Sequence, residues 1–234
     1  MDELHPLVVR YFEKGRWMIV VVKSELITRI INKSNEPNKA LIGLHGWKGN
    51  EFVFEQVAKI VNLDQSKWYF PRAPYQSESG KGYTWFQGSD EKGWEYEKTI
   101  SGLSNLIKKV NSDGFTNEDI YLIGFSQGAC LALEFSLRLP YPIGGIISIA
   151  GFIKFKKMIE SEGTKESKGT PVLLLHGNQD DIISVKESIT SHSILKTRKN
   201  PVFLKTYDAT HKIPIKITPL IRKFITDTKT FKLV

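Results

Sequence analysis

The sequence predicts an α/β protein in which a mostly parallel central sheet carries helices on both faces. Short β-branched runs alternate with stretches of helical period along the chain, as expected where crossover helices join parallel strands. The composition, with 41% apolar and 25% charged residues, is that of a globular protein with a sizeable core. No repeat or low-complexity tract interrupts the order, so we expect one domain over residues 1–234.

The first strands are expected at one edge of the sheet. Two early apolar runs, residues 17–22 and 26–31, are separated by only three residues, 23–25. Antiparallel strands can be joined by a connection this short, whereas parallel strands need a long crossover. The spacing therefore predicts an N-terminal antiparallel hairpin.

The central strands are predicted from apolar runs that are too short for helices. Such runs are buried on both faces when they lie inside a parallel sheet. A later run over residues 201–207 alternates in character and begins at Pro201, a position that a strand tolerates. The predicted strands are residues 40–44, 120–125, 145–149, 172–175 and 201–207.

Helices are predicted between these strands. In the second of them, Ile100, Leu103, Ile107 and Val110 recur at spacings of three and four residues. This spacing places them on one apolar face, which we expect to pack on the sheet. The predicted helices are residues 52–62, 94–110, 127–139, 185–195 and 215–226.

Two connections are long for a compact α/β protein, residues 71–93 and 152–169. Loops of this length frequently carry function. In the second loop, Phe152, Phe155 and Ile159 share a helical face beside three lysines. We interpret this loop as a surface excursion with minimal or no cap, and leave a small cap or a patch touching anionic lipid as alternatives.

The distribution of charge argues against a nucleic-acid partner. The formal charge is +8, from 33 Lys and Arg against 25 Asp and Glu, but the basic residues are scattered and form no nucleic-acid motif. A solvated, lysine-rich surface with no nucleic-acid partner is expected.

Cys130 is the only cysteine, so no internal disulfide forms. No apolar stretch approaches the ~20 residues of a membrane span, so we expect a cytoplasmic protein without stable membrane insertion.

The strongest motif is Gly-Phe-Ser-Gln-Gly at residues 124–128. It follows the predicted strand 120–125 directly and precedes a predicted helix. A serine on a tight strand-to-helix turn projects its hydroxyl clear of the sheet, and small residues on either side relieve crowding in the strained backbone. The context predicts that Ser126 is a nucleophile.

Two backbone N–H groups are candidates for an oxyanion hole. One belongs to Gln127, which follows the nucleophile and begins a helix whose N-terminus favours negative charge. The second is expected from the loop after an earlier strand. Residues 44–49 contain two glycines that allow close approach of the backbone, and we assign the second donor to Trp47.

The acid and base are expected after later strands, in the order Ser, Asp, His. His211 follows the last predicted strand and is the candidate base. Asp180 and Asp181 both follow strand 172–175, and Asp208 is also near His211 in sequence, so spacing alone leaves the acid open. We interpret His45, which ends a strand, as structural.

Several ordered motifs resemble the phospholipase/carboxylesterase family of α/β-hydrolases, which includes the acyl-protein thioesterases. The resemblance implies the α/β-hydrolase fold, and it implies that Asp180 is the acid because that residue lies three places after a His-Gly pair. This chain has Asp181 where the family usually has proline, and Gln87 where it tends to have aspartate. The motifs are residues 44–46, 71–74, 85–86, 124–128, 176–181 and 211–214.

The predicted activity is that of a serine hydrolase that cleaves carboxylic esters or thioesters through an acyl-enzyme on Ser126. Trp47, Tyr83, Trp85 and Phe86 lie on loops expected near this serine. Aromatic walls suit an apolar acyl group or an aromatic ester, and we expect Tyr83, Trp85 and Phe86 to contact substrate. No metal-ligand spacing or nucleotide motif is present, so we expect no metal and no cofactor. A non-catalytic small-molecule-binding protein and a small peptidase are the alternatives, and a homodimer is left open.

Overall fold

The computed structural model describes residues 7–13, 16–22 and 25–233. The strands are β1 (Leu7–Glu13), β2 (Arg16–Val22), β3 (Thr28–Asn32), β4 (Lys39–Leu44), β5 (Ser66–Pro71), β6 (Tyr75–Gln76), β7 (Tyr83–Thr84), β8 (Gln87–Ser89), β9 (Gly93–Glu95), β10 (Ile120–Phe125), β11 (Gly145–Ile149), β12 (Val172–Gly177) and β13 (Val202–Tyr207). The helices are α1 (Glu55–Val61), α2 (Glu97–Ser112), α3 (Gln127–Ser136), α4 (Lys156–Glu162), α5 (Val185–Arg198) and α6 (Thr218–Thr226).

Seven strands form the central sheet, in the order β13-β12-β11-β10-β4-β5-β3. All neighbours are parallel except β3, which runs antiparallel to β5 at one edge. The predicted mostly parallel sheet is therefore confirmed. Because β4, β10, β12 and β13 are parallel, their carboxyl ends meet at the same edge of the sheet, and the loops that follow them lie side by side.

Side chains alternate between two cores on opposite faces of the sheet. On β10, Leu122 packs with Ile107 of α2 on one face. Its neighbours Tyr121 and Ile123 pack with Phe224 of α6 on the other. This period of two follows from the pleat of a strand, and it makes every position of a central strand apolar when both faces are covered. The prediction of helices on both faces is confirmed.

The predicted N-terminal hairpin is wrong in its pairing. Residues 17–22 pair through β2 with β1, for example Val20 with Val9. The second run of the predicted hairpin forms β3, whose Ile30 pairs with Tyr69 of β5. β5 is almost entirely buried and needs an outer neighbour for its remaining backbone N–H and C=O groups. That long-range requirement, rather than the short linker, determines the partner of β3.

The segment 152–169 forms α4 and a short 3-10 helix, and it packs on the body of the protein. Ile159 is fully buried in the same core as α2 and α3. The Phe155 ring lies 6.3 Å from that of Phe86 and 5.7 Å from that of Tyr96. Ile159 is therefore unavailable to a lipid surface, and Phe155 is partly buried against these two rings. Within the described residues, none of the helices has the length and apolar character needed to span a membrane.

Candidate active site

Ser126 lies on a strained turn between β10 and α3. Its φ of 54° and ψ of −119° fall in a region that residues with a side chain rarely adopt. The turn is tightly packed: a Cβ at Gly124 would lie 2.3 Å from the Gly128 carbonyl oxygen, and a Cβ at Gly128 would lie 2.2 Å from the Leu44 carbonyl oxygen. The structure thus shows why both flanking positions are glycine.

The loops after β12 and β13 bring Asp180 and His211 into contact. Asp180 Oδ2 lies 2.7 Å from His211 Nδ1. Its other oxygen accepts the N–H groups of Ile182 at 3.0 Å and Ile183 at 2.8 Å. Burial opposes ionisation of Asp180, but these N–H groups and the imidazole together outweigh it and lower the pKa of the carboxyl below its usual value.

The structure distinguishes between the three aspartates that the sequence leaves as candidates for the acid. The Asp180 side chain is fully buried against His211. Asp181 is exposed, and so is Asp208. Gly177, at the end of β12, permits this meeting of loops, because a Cβ there would lie 2.3 Å from the Ala209 carbonyl oxygen.

His211 lies next to the serine turn. Its ring centroid is 4.7 Å from that of Phe125, the residue before Ser126. A carboxylate can only accept hydrogen bonds, so the 2.7 Å contact with Asp180 places the proton of the neutral ring on Nδ1. Nε2 is then a free acceptor, and it has no partner among the described residues.

The two predicted oxyanion donors flank the same serine. A Cβ at Gly46 would lie 3.6 Å from the Ser126 Cβ, so the loop after β4 touches the turn. Gln127 begins α3. Within the described part of the chain, the backbone N–H groups of Trp47 and Gln127 donate to no protein acceptor. Both are available to a ligand at Ser126.

His45 is buried and has both ring nitrogens occupied. Nδ1 donates to the Gly46 carbonyl oxygen at 2.8 Å, and Nε2 accepts the N–H of Ala73 at 3.1 Å. Burial is the main reason that the pKa of His45 falls to about 4. A neutral imidazole with no free nitrogen supports the loop, and the structural interpretation of His45 is confirmed.

His176 is also buried, behind the acid. Its Nδ1 lies 2.6 Å from Ser188 Oγ, and its Nε2 lies 2.8 Å from the Ile183 carbonyl oxygen. The same Nε2 lies 3.2 Å from Asp180 Oδ2. These contacts tie the turn that carries Asp180 to the end of β12.

The aromatic residues predicted to contact substrate differ in exposure. Trp85 is fully buried and Phe86 is 5% exposed. The prediction for Trp85 is wrong, because its indole N–H donates to the His45 carbonyl oxygen at 2.8 Å and its ring has no accessible surface. Phe86 is packed against Tyr96. Only Tyr83 keeps partial exposure.

Sequence reasoning missed an ion pair near this loop. Arg72 donates to both carboxylate oxygens of Glu51, including a 2.7 Å bond from Nε. The guanidinium carbon also lies 4.7 Å from the centroid of the Tyr83 ring. No local pattern marks this pair, because the two charged residues lie on different loops.

Cys130 lies on α3, four residues after Ser126. Burial raises the pKa of the Cys130 thiol to about 12, so the thiolate needed for nucleophilic attack does not form there at neutral pH. Across the residues that the structure describes, no three His, Cys, Asp or Glu side chains are grouped to hold a metal ion.

The parallel sheet, the strained serine turn and the Asp180–His211 contact define an α/β-hydrolase. A solved structure, "esterase PE8", superposes with a TM-score of 0.75 at 25% identity, covering 87% of this chain and 99% of that one. The sequence profile of the phospholipase/carboxylesterase family matches residues 26–229. The chain belongs to the phospholipase/carboxylesterase family.

Two curated relatives illustrate the range of this family. "Acyl-protein thioesterase 1" of Kluyveromyces lactis is 29% identical over 174 residues, which cover 68% of this chain and 76% of that protein. A rice protein named "Probable inactive carboxylesterase" is 24% identical over 187 residues, 73% of this chain and 76% of its own length. Similarity at this level therefore extends to a relative whose name marks it as inactive.

Proposed function

We propose that the protein hydrolyses carboxylic esters or thioesters through an acyl-enzyme on Ser126. The observation that carries the proposal is the 2.7 Å contact between buried Asp180 and His211, whose ring lies 4.7 Å from that of Phe125, the residue before Ser126. A non-catalytic binding protein has no chemical need for a buried carboxylate that fixes an imidazole tautomer. The names of the relatives support an ester or thioester as the substrate.

Acylation uses the two groups in sequence. His211 Nε2 takes the proton from Ser126 Oγ as that oxygen attacks the carbonyl carbon of the substrate. The imidazolium that forms is stabilised by the Asp180 carboxylate, whose lowered pKa keeps it charged. When the tetrahedral intermediate collapses, the same proton passes to the leaving alcohol or thiol, and the acyl group stays on Ser126.

Deacylation repeats the chemistry with water. His211 takes a proton from a water molecule, which attacks the acyl carbon, and returns it to Ser126 Oγ as the carboxylic acid leaves. In both steps the negative charge develops on the carbonyl oxygen. The N–H groups of Trp47 and Gln127 are assigned to bind it, since they flank Ser126 and have no protein acceptor in the described residues.

The test of this function uses an active-site variant and a covalent label. Wild-type protein is expected to hydrolyse short-chain p-nitrophenyl esters and to react with a fluorophosphonate probe. Ser126→Ala is expected to lose both, with kcat falling by at least ~10⁴-fold, because the nucleophile is gone. A wild-type protein that is inert in both assays would show that the proposal is wrong.

The leaving group and the acyl chain need a separate measurement. Paired oxoesters and thioesters of graded acyl length, compared by kcat/KM, distinguish an esterase from a thioesterase. Tyr83 and Trp47 remain aromatic candidates for contact with the acyl group, because Tyr83 keeps partial exposure beside the loop after β4 and Trp47 is 56% exposed on that loop. Cys130 is buried and unpaired, so the fold needs no oxidising compartment, which supports a cytoplasmic location.

A further inference from the structure

Residues 84–85 contact both segments that supply the proposed oxyanion donors, which are the loop after β4 and the start of α3. We propose that the Trp85 indole and the Gln127 side chain are positioning residues of the oxyanion hole, an inference that rests on the proposed function. They act by holding the loop after β4 and the start of α3 in a fixed relation. Neither side chain needs to touch the substrate.

The Gln127 side chain makes the first half of this connection. Its Oε1 accepts the backbone N–H of Trp85 at 3.1 Å. Its Nε2 donates to Thr84 Oγ1 at 2.8 Å. The residue that supplies one backbone donor therefore also fixes the segment 84–85 through its amide group.

The Trp85 indole makes the second half. Its Nε1 donates to the His45 carbonyl oxygen at 2.8 Å, and its ring lies 4.8 Å from the His45 ring. The Trp85 carbonyl oxygen accepts a hydrogen bond from Thr99 Oγ1 on α2 at 2.7 Å. A fully buried ring, anchored to a long helix, thus holds the loop that carries Trp47.

A backbone bridge supports the same loop from β7. The N–H of Lys48 donates to the Tyr83 carbonyl oxygen at 2.9 Å, and the N–H of Tyr83 donates to the Gly49 carbonyl oxygen at 3.0 Å. Lys48 has a φ of 64°, a conformation that the loop keeps only while its surroundings hold it. Residues 83–85 therefore contact the loop at both its ends.

This arrangement matters because oxyanion stabilisation depends on geometry. A backbone donor is effective only when it lies about 2.7–3.1 Å from the developing charge. Losing the Trp85 N–H would leave the buried His45 carbonyl oxygen without that donor and free the loop to shift. A misplacement of about 1 Å at a reacting centre can lower the rate roughly 100-fold.

The test compares two buried tryptophans. Trp85→Phe removes the indole N–H and keeps a buried ring. Trp68→Phe is the matched control, because Trp68 is also fully buried and donates to Ser66 Oγ at 3.0 Å, but in the other core. Gln127→Met removes both amide contacts and keeps the backbone N–H. The assays are steady-state kinetics, binding of a trifluoromethyl ketone that mimics the tetrahedral intermediate, and amide exchange at Lys48 and Gly49.

We expect kcat to fall about 10- to 100-fold in Trp85→Phe and Gln127→Met, with KM within about threefold of the wild-type value. Affinity for the ketone should fall in parallel with kcat/KM, and the Lys48 and Gly49 amides should exchange faster. Trp68→Phe should change none of these. Equal behaviour of Trp85→Phe and Trp68→Phe in all assays would overturn the inference. If the wild type is inert, the proposed function fails, and amide exchange alone decides whether Trp85 holds the loop.

Discussion

The two loops that flank Ser126 each carry a histidine, and the two imidazoles are in opposite situations. His45, after β4, is 1% exposed, and both its ring nitrogens are bound to backbone groups, those of Gly46 and Ala73. Among the residues that the structure describes, His211, after β13, has a hydrogen-bond partner at Nδ1 alone, and its side chain is 16% exposed. The comparison teaches that access to the second nitrogen, and not position at a strand end, distinguishes the buried histidine from the one that we propose as the base.

The charge environments of the two loops differ in the same way. Burial keeps His45 neutral by lowering its pKa to about 4. His211 instead faces Asp180, a carboxylate that its own hydrogen bonds keep ionised. His45 is thus kept neutral by burial, whereas His211 lies against an ionised carboxylate, as the proposed role of base requires.

The largest loss of activity is expected from His211→Ala. Removing the base leaves Ser126 without a proton acceptor, so kcat should fall by at least ~10⁴-fold. His192→Ala on α5 is the control and should keep wild-type activity, since His192 lies outside the site. A His211→Ala variant that retains more than about a tenth of the wild-type activity would contradict the assignment of His211 as the base.

The next largest effect concerns the acid. Asp180→Asn keeps the shape but permits the wrong imidazole tautomer, which lowers kcat by about 10³- to 10⁴-fold in comparable triads. Asp181→Asn should change kcat less than about twofold, because Asp181 is exposed. Both variants are measured with the same ester. Loss of activity in Asp181→Asn alone would contradict the assignment of Asp180.

A pH effect on stability is expected from His45. Its pKa is lower in the folded state than its ordinary value of 6.5. The unfolded chain therefore binds more protons below pH 6.5, and stability contributed by His45 is lost as pH falls toward 4. Between pH 7.5 and pH 5 the loss should be about 2 kcal/mol.

Urea unfolding at both pH values measures this loss, with His45→Gln as the comparison. The variant is expected to be less stable at pH 7.5 but to show a smaller drop on acidification, by about the same 2 kcal/mol. The same drop in the variant and the wild type would show that His45 is not the group responsible.

The smallest effect on kcat is expected from Trp47→Ala. The Trp47 side chain is 56% exposed, and the proposed contribution to the oxyanion hole comes from its backbone N–H, which alanine keeps. We expect kcat to change less than about threefold. A fall in kcat beyond about tenfold with KM unchanged would show that the side chain itself is needed for catalysis.

The central sheet was largely predictable because its strands are buried on both faces. Residues 40–44 and 120–125 are apolar at successive positions, a pattern that few other structures require. β5 escaped the same reasoning, since Ser66 and Lys67 open it and Pro71 ends it. The partner of β3 depends on β5, so one unassigned strand also produced the wrong hairpin.

By itself, the sequence determined the setting of Ser126: a strand, a tight turn with two glycines and a helix, all within a few residues. Such features are local, because backbone sterics and hydrogen bonds act between near neighbours. Only the tertiary structure decided which aspartate meets His211, and that the Trp85 ring is buried with its indole N–H on the His45 carbonyl oxygen. Burial and long-range hydrogen bonds arise where distant segments meet, so spacing along the chain could not distinguish Asp180 from Asp181.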